Sequence, residues 1–396
     1  DKISQELRKK HIAADVFIGG SFAKGTFLKL DNYDIDVFVR FDWKYDFLSN
    51  LLEKVLTPVC KQLSLRLERI HGSRDYFRAY NRNVPGYFEI VPVTLIKKPQ
   101  EERNVTDLSY FHVPYVKKRV KGLENHVRLA KQFFKAQRVY GAETYVQGFS
   151  GYAVELLILK YKSFVKLLHA LSAVSDERRL VIDIARHYPR SADVFIQLNE
   201  AKLHSPIILI DPTYKERNAL AALSRETFVR FQKSARAFLR RPSAQFFEKK
   251  VIDIANLRIK ARRKKYDFVM LSLTTDKQPG DIAGTKLKKF YEMVVREVRE
   301  YFNVKDSQFS YAGGNSGTAY IVAQPKKEIV HIGPPLTMKK HVANFKAEHL
   351  NTFVKGKYIH ARISVKFDAK SYLDTWSKAN EKTMREMHIT SMKIEN

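Results

Sequence analysis

The stretch FIGGSFAKGTFLKLDNYDIDVFVRF, from Phe17 to Phe41, decides the fold of the first part of this chain. Its second half is an apolar, β-branched run typical of a core strand, yet that run carries Asp34 and Asp36 on either side of Ile35. A buried carboxylate without a partner costs several kcal/mol, so two of them in one core strand need a reason. Either both side chains face solvent, or a cation is held between them.

The geometry of a strand favours the cation. Successive side chains point to opposite faces, so Asp34 and Asp36 share a face, roughly 7 Å apart, and Ile35 faces the core. Carboxylate oxygens are the ligands that magnesium prefers. Upstream, Gly19, Gly20 and Ser21 form a short turn that we expect to open a helix, whose free N–H groups can bind phosphate. A phosphate site therefore faces a carboxylate site.

A third carboxylate comes from the segment YFEIVPV, where Glu89 is a lone acid in another apolar run. We expect Glu89 on a strand next to the one that carries Asp34 and Asp36. Three carboxylates beside a phosphate-binding turn predict nucleotidyl transfer with two magnesium ions about 3.5–4 Å apart. For the two aspartates taken alone, a solvated edge strand is the alternative interpretation.

The charge of the chain favours a polyanionic partner. Its 396 residues include 71 Lys and Arg against 42 Asp and Glu, which gives a net charge of +29. Nucleic acid is favoured over a membrane, because no run of 18 apolar residues exists. Cys60 is the only cysteine, which excludes an intrachain disulfide and a cysteine-based zinc site. With no secretory signal visible we expect a cytoplasmic protein, and because Asp1 falls in a helical pattern we expect a segment to precede it.

The patterns along the chain predict a multidomain α+β protein. Residues 1–117 alternate helical and strand-like segments, which indicates an α+β domain with a mixed sheet. Residues 118–242 are helical in pattern almost throughout, with one helix expected to end at Gly141. Residues 243–396 return to alternating elements, including a strand in YDFVMLSL and a long helix in KLKKFYEMVVREVREYF.

The spacing of the first motif resembles the signature of the DNA polymerase beta nucleotidyltransferase superfamily: Gly20-Ser21, twelve residues, then Asp34-Ile35-Asp36-Val37. The segments 139–157, 211–223 and 331–345 resemble, more specifically, the archaeal (class I) CCA-adding enzymes. This resemblance implies a polymerase-beta-like catalytic head (1–117), a helical neck (118–242), and an α+β body and tail (243–396) that bind the acceptor stem of tRNA. It also implies addition of C, C and A to the tRNA 3′ end from CTP and ATP, with release of pyrophosphate.

The same resemblance assigns roles to individual residues. It places Asp34, Asp36 and Glu89 as the catalytic carboxylates that hold two magnesium ions. The positions that correspond to nucleotide contacts are Ser21 and Lys24 at the triphosphate, Ser109, His112, Lys131 and Tyr140 around the nucleotide, and Arg217 at the edge of the base. Two residues depart from the family pattern: Lys24 stands for an arginine and Glu89 for an aspartate.

Each assignment has a simpler alternative. Without the resemblance, His112 is an ordinary core or surface histidine, Lys131 a solvated charge and Tyr140 an aromatic at a helix end. Arg217 could instead begin a helix and pair with Asp211. Among functions, the rivals are another template-independent RNA polymerase, such as a poly(A) or uridylyl transferase, and an RNA-binding relative without activity. The oligomeric state stays open, with a homodimer as one alternative.

Overall fold

The computed structural model describes residues 1–28, 33–81, 83–175, 179–249 and 253–395. The chain divides into two compact units, Asp1–Val251 and Ile252–Asn396. The predicted head and neck both lie in the first unit, and the boundary between them at 117/118 stays a prediction. The mixture of helices and sheets described below confirms the α+β class.

The first sheet of the first unit has five strands, in the order β1 (Ala14–Ile18), β2 (Asp34–Phe41), β5 (Tyr87–Thr94), β4 (Tyr76–Tyr80) and β3 (Arg66–Ile70). Strand β2 pairs antiparallel with β1 and parallel with β5, which makes the mixed sheet that the sequence predicts. The third helix buries its apolar side on one face of this sheet, against Val39 and Phe41 of β2. The elements are α1 (Lys2–Lys9), β1 (Ala14–Ile18), α2 (Gly20–Ala23), β2 (Asp34–Phe41), α3 (Leu48–Gln62), β3 (Arg66–Ile70), β4 (Tyr76–Tyr80) and β5 (Tyr87–Thr94).

Helices supply the largest apolar core of this unit, which extends from Val116 to Phe238. The helices are α4 (Ser109–Arg119), α5 (Glu124–Ala136), α6 (Gly151–Tyr161), α7 (Phe164–Ser172), α8 (Ser191–Gln197) and α9 (Arg225–Arg240). The predicted helix end at Gly141 is wrong: α5 ends at Ala136. The chain turns there because Arg138 adopts a left-handed φ of 58° and Val139 then pairs with Phe149 by a backbone hydrogen bond.

The expectation that residues 118–242 are helical almost throughout is wrong for one part of that region. It contains a three-stranded sheet in the order β6-β7-β8, formed by Leu180–Asp183, Ile207–Asp211 and Tyr214–Asn218. All five residues of β7 are buried. A strand buried on both faces is a continuous apolar run without alternation, so periodicity does not distinguish it from a buried helix.

The second unit contains two further sheets. The first has the order β10 (Phe302–Tyr311), β11 (Ser316–Pro325), β9 (Asp267–Thr275) and β15 (Ile389–Glu395), and the second has the order β12 (Glu328–Pro335), β14 (Tyr358–Ser364) and β13 (Thr352–Lys355). The long predicted helix is confirmed as α11 (Asp281–Tyr301), which buries Leu287, Phe290 and Val294 against the first of these sheets. The elements are α10 (Ile254–Arg263), β9 (Asp267–Thr275), α11 (Asp281–Tyr301), β10 (Phe302–Tyr311), β11 (Ser316–Pro325), β12 (Glu328–Pro335), α12 (Lys339–Glu348), β13 (Thr352–Lys355), β14 (Tyr358–Ser364), α13 (Ala369–Ala379), α14 (Glu381–Glu386) and β15 (Ile389–Glu395). Within the described ranges, no helix combines the length and apolar character needed to cross a membrane.

The helical core depends on Phe133 of α5, which is fully buried and contacts the rings of Phe134, Phe164, Phe238, Phe246 and Phe247. We expect Phe133→Ala to lower the free energy of unfolding of this unit by about 3–5 kcal/mol, because it removes the ring and leaves a cavity. Urea denaturation measures the change. Leu129→Ala on the same helix is the matched control, since Leu129 is 43% exposed and should change stability little. A loss below 1 kcal/mol for the phenylalanine variant would show that the core closes over the cavity.

Candidate active site

The three predicted carboxylates lie on one face of the first sheet. Asp34 and Asp36 are alternate residues of β2, and Ile35 between them packs on the opposite side against the core that holds α3. The parallel register of β2 and β5 places Glu89 directly beside Asp36. On the next strand, Arg78 lies opposite Glu89, with 3.7 Å between its Nε and Glu89 Oε2. The neighbouring strand expected for Glu89 is therefore β5.

Burial and mutual repulsion act on these carboxylates. Burial, with Asp34 adding to it, raises the pKa of Asp36 to about 6. Burial and the adjacent Asp36 raise the pKa of Glu89 to about 7. A divalent cation would relieve this repulsion, and the donors are the hard oxygens that magnesium prefers, so the residues fit the ion. Within the described ranges, however, no three His, Cys, Asp or Glu side chains come close enough to form a metal site, so the metal assignment stays a prediction.

The glycine–serine turn lies against Asp36. The backbone N–H of Gly19 donates to the carbonyl oxygen of Asp36 at 2.9 Å, and the short helix α2 that the turn was expected to open begins at Gly20. Gly20 has a φ of 56°, and a Cβ there would lie 1.5 Å from Asp36 Oδ2. A larger residue would therefore be strained in its backbone and would displace the carboxylate. This contact fixes the turn next to the acidic face.

The turn and the two aspartates open onto a cleft of about 280 Å³. Six of the predicted site residues line it: Ser21, Lys24, Asp34, Asp36, Lys131 and Tyr140. Lys135, one helical turn after Lys131 on α5, also lines the cleft. Sequence reasoning missed it, although residues four apart in a helix share a face and this spacing could have identified it. Glu89, Ser109, His112 and Arg217 are not among its lining residues, and Ser109 is the first residue of α4.

At the base of the cleft lies a cluster that sequence reasoning also missed. Glu155 of α6 is fully buried and accepts hydrogen bonds from Lys24 Nζ at 2.5 Å, Thr26 Oγ1 at 2.6 Å and Lys131 Nζ at 2.9 Å. Burial alone would raise the pKa of Glu155, but the ammonium groups of Lys24 and Lys131 outweigh it and lower the pKa to about 2. Lys131 is only 3% exposed, so the solvated-charge alternative is wrong. We call these four residues the Glu155 cluster; its sequence signal was a single acid inside the apolar segment GYAVELLILK.

A second buried carboxylate organises His112 and Arg217. Asp211, at the end of β7, accepts hydrogen bonds from His112 Nε2 at 3.0 Å, Tyr152 OH at 2.9 Å and Arg217 Nη1 at 2.7 Å. Burial would raise the pKa of Asp211, but these donors, with Thr213, hold it below its usual range. The proposed pairing of Arg217 with Asp211 is confirmed, whereas its placement at a helix start is wrong, because Arg217 lies on β8.

Tyr152 connects the two parts of the site. Its ring stacks on His112 with 3.9 Å between centroids, its hydroxyl binds Asp211, and it also lines the cleft. Burial lowers the pKa of His112, which favours the neutral ring, and the hydrogen bond requires that ring to donate from Nε2. His112 and Tyr152 therefore form a flat aromatic pair held by Asp211.

The raised pKa of Glu89 predicts that its charge destabilises the fold. In the unfolded chain the pKa is near 4.5 and in the folded chain about 7, so stability is lost as pH rises between these values. We expect Glu89→Gln to raise the free energy of unfolding by about 2 kcal/mol at pH 8 without divalent ions, and by much less at pH 4.5. Urea denaturation at both pH values measures the gain. An equal gain at the two pH values would contradict an electrostatic cause.

Two family models match the first unit. Residues 1–140 match the nucleotidyltransferase domain, and residues 125–248 match the second domain of tRNA nucleotidyltransferases. Among solved structures, a cytoplasmic RNA terminal U-transferase aligns with 64% of this chain and 91% of its own, with a TM-score of 0.46 and 15% identity. The family assignment rests on the sequence relatives.

Several archaeal CCA-adding enzymes are similar to this chain. The enzyme of Nanoarchaeum equitans is 42% identical over 230 residues, which are 58% of this chain and 56% of the relative. The enzyme of Methanosarcina barkeri is 30% identical over 340 residues, which are 83% of this chain and 71% of the relative. With that identity over most of both sequences, the chain belongs to the archaeal CCA-adding enzymes, a family of tRNA nucleotidyltransferases.

Proposed function

We propose that this chain adds C, C and A in turn to the 3′ end of tRNA, using CTP and ATP. It spans 56% and 71% of the lengths of the two relatives described above, so this activity is inferred for the chain. The observation that carries the proposal is the acidic face of Asp34, Asp36 and Glu89 beside a lysine-lined cleft. That arrangement brings an anionic triphosphate next to carboxylates that can hold cations.

The reaction is an in-line displacement at the α-phosphorus of the nucleotide. The 3′-hydroxyl of the tRNA loses its proton to solvent and its oxygen forms a bond to that phosphorus, while the bond from phosphorus to the bridging oxygen breaks and pyrophosphate leaves. Two magnesium ions held by Asp34, Asp36 and Glu89 would supply the charge stabilisation at the attacking and leaving oxygens. Ser21 and the N–H groups that begin α2 bind phosphate oxygens, and Lys24 and Lys131 offset the negative charge of the triphosphate.

The base is recognised near the aromatic pair. Tyr152 lines the cleft and stacks on the buried His112, and Arg217 is held by Asp211 with its Nη1 committed to that carboxylate. The remaining guanidinium donors can bind the ring nitrogen that accepts a hydrogen bond in cytosine and adenine. In uracil and guanine the corresponding nitrogen carries a hydrogen, which would face the guanidinium donor to donor.

The tRNA itself is bound by positive charge. The excess of 71 basic over 42 acidic residues suits a polyanion, and the tail would read the A-form shape and phosphates shared by all tRNAs.

A test of the whole proposal is incorporation of each of the four nucleotides on a tRNA that ends at the discriminator base. Addition of C alone from CTP, followed by A from ATP, supports it; runs of A or U would favour a poly(A) or uridylyl transferase, and no addition would favour an inactive RNA-binding relative.

The metal role is tested at Asp36. We expect Asp36→Ala to lower the rate of nucleotide addition by more than about a hundredfold. Binding of tRNA should persist, because the proposal places the tRNA-binding residues in the body and tail. Single-turnover incorporation and fluorescence anisotropy with labelled tRNA measure the two effects. Magnesium should raise the melting temperature of the unchanged chain more than that of the variant. Asp15→Ala is the matched control, because Asp15 lies on neighbouring β1, is half exposed and pairs with Arg40. Retention of more than about a hundredth of the rate by the Asp36 variant contradicts the assignment.

Base selection is tested at Arg217. We expect Arg217→Ala to slow CTP and ATP incorporation. It should also reduce the discrimination against UTP and GTP, expressed as the difference in activation free energy calculated from kcat/KM, by about 1–3 kcal/mol. The fold should survive, since Asp211 keeps hydrogen bonds from His112, Tyr152 and Thr213. Steady-state kinetics with all four nucleotides measures the change, and Arg190→Ala, which removes an exposed arginine of the same unit, is the control. Undiminished discrimination would mean that Arg217 does not read the base.

A further inference from the structure

The two lysines at the base of the cleft share one carboxylate. Lys24 comes from the segment after α2, Lys131 from α5 and Glu155 from α6, so three separate parts of the first unit meet at one buried group. Thr26 completes the arrangement, because it donates to Glu155 and its own oxygens accept from Lys131 Nζ at 3.1 and 3.3 Å. The cluster is closed on the side of α6 and open on the side of the cleft.

Charge and donor count both point to a ligand in the cleft. The cluster holds two ammonium groups and one carboxylate, which leaves one positive charge that no member of the cluster neutralises. Each ammonium has three donors, and the bonds to Glu155 and Thr26 leave donors of Lys24 unused within the cluster. Lys24 and Lys131 line the same cleft as Asp36 and are close enough to it to lower its pKa, so the cluster is near the acidic face.

The position of Lys131 depends on Glu155. Burial lowers the pKa of Lys131, and Glu155 is the group that counteracts this effect. Without the carboxylate, two desolvated ammonium groups would face each other, and they would separate or lose a proton. Either change removes a fixed cation from the base of the cleft.

We propose that Glu155 is a positioning residue for the triphosphate of the incoming nucleotide, since it fixes the ammonium groups of Lys24 and Lys131 so that the remaining donors of Lys24 face the phosphate oxygens and the charge of Lys131 lies beside them. This inference rests on the proposed function, which places the triphosphate in this cleft. Glu155 itself touches no substrate. It acts through the two lysines: Lys24 donates hydrogen bonds to the anion, and Lys131 attracts it by its positive charge.

The direction in which substitution of Glu155 changes the affinity for an anion distinguishes a positioning residue from a bystander, that is, a carboxylate that only lies near the site. A carboxylate near an anion site repels the anion, so removal of a bystander should tighten anion binding. Removal of a positioning carboxylate should weaken it, because the cations lose their fixed places. Inorganic tripolyphosphate is the appropriate probe, since it has no base or sugar and needs no tRNA or turnover.

The experiment is isothermal titration of tripolyphosphate into the unchanged chain and into Glu155→Gln, which keeps the shape of the side chain. We expect the dissociation constant to rise about tenfold in the variant, the effect of losing roughly one charge-assisted hydrogen bond. Glu155→Asp keeps the charge and should lose less than the glutamine variant. In single-turnover addition, Glu155→Gln should raise the apparent dissociation constant of CTP more than it lowers the maximal rate.

A matched control separates positioning from general destabilisation. Asp107 is an equally buried carboxylate of the same unit, paired with Arg74 and with backbone N–H groups, and it does not line the cleft. Asp107→Asn should lower the melting temperature, as we also expect of Glu155→Gln, but leave the affinity for tripolyphosphate unchanged. A far-ultraviolet circular dichroism spectrum that matches that of the unchanged chain shows that each variant is folded.

Each outcome bears on one of the two proposals. If the original chain binds tripolyphosphate and Glu155→Gln binds it equally tightly or more tightly, the role of Glu155 is overturned. The proposed function is then left intact. Equal losses of affinity in the Glu155 and Asp107 variants also overturn it, because the effect would then come from destabilisation. If the unchanged chain does not bind tripolyphosphate, the nucleotide site in this cleft fails, and the inference fails with it.

Discussion

The parallel pairing of β2 with β5 is the constraint on which the rest of the site depends. It places Asp36 beside Glu89, and the same strand β2 carries Asp34 on the same face and its apolar residues on the other. The glycine–serine turn is then fixed by its contact with Asp36, because Gly20 leaves no room for a side chain there. A slip of one residue in this register would turn the carboxylates into the core.

Two other buried carboxylates of the first unit have pKa values shifted in the opposite direction from those of the acidic face. Asp36 and Glu89 repel each other and are desolvated, which raises the pKa of both side chains, whereas Glu155 and Asp211 are surrounded by donors that lower it. The first pair stores unfavourable energy that a cation can release, and such strain is common at functional sites. The second pair organises cationic and polar side chains and stabilises the ionised form.

Both organising carboxylates connect distant parts of the chain. Lys24 and Glu155 are 131 residues apart in sequence, and His112 and Asp211 are 99 apart. Buried polar networks of this kind are satisfied only in one packing arrangement, so they specify the position of the helices around the cleft as well as the site. The aromatic pair of His112 and Tyr152 links the two networks, because Tyr152 lines the cleft and binds Asp211.

The sequence by itself determined the α+β class, the face shared by Asp34 and Asp36, the presence of a helix after the glycine–serine turn and the family, because these follow from local spacing and short motifs. It misjudged β7, where burial on both faces removes the alternation that marks a strand. Only the tertiary structure decided that Glu89 lies beside Asp36, that Lys131 is buried, and that Glu155 and Asp211 gather the nucleotide-binding candidates. Those contacts join residues far apart in the chain, and their formation depends on how sheets and helices pack, which local patterns do not encode.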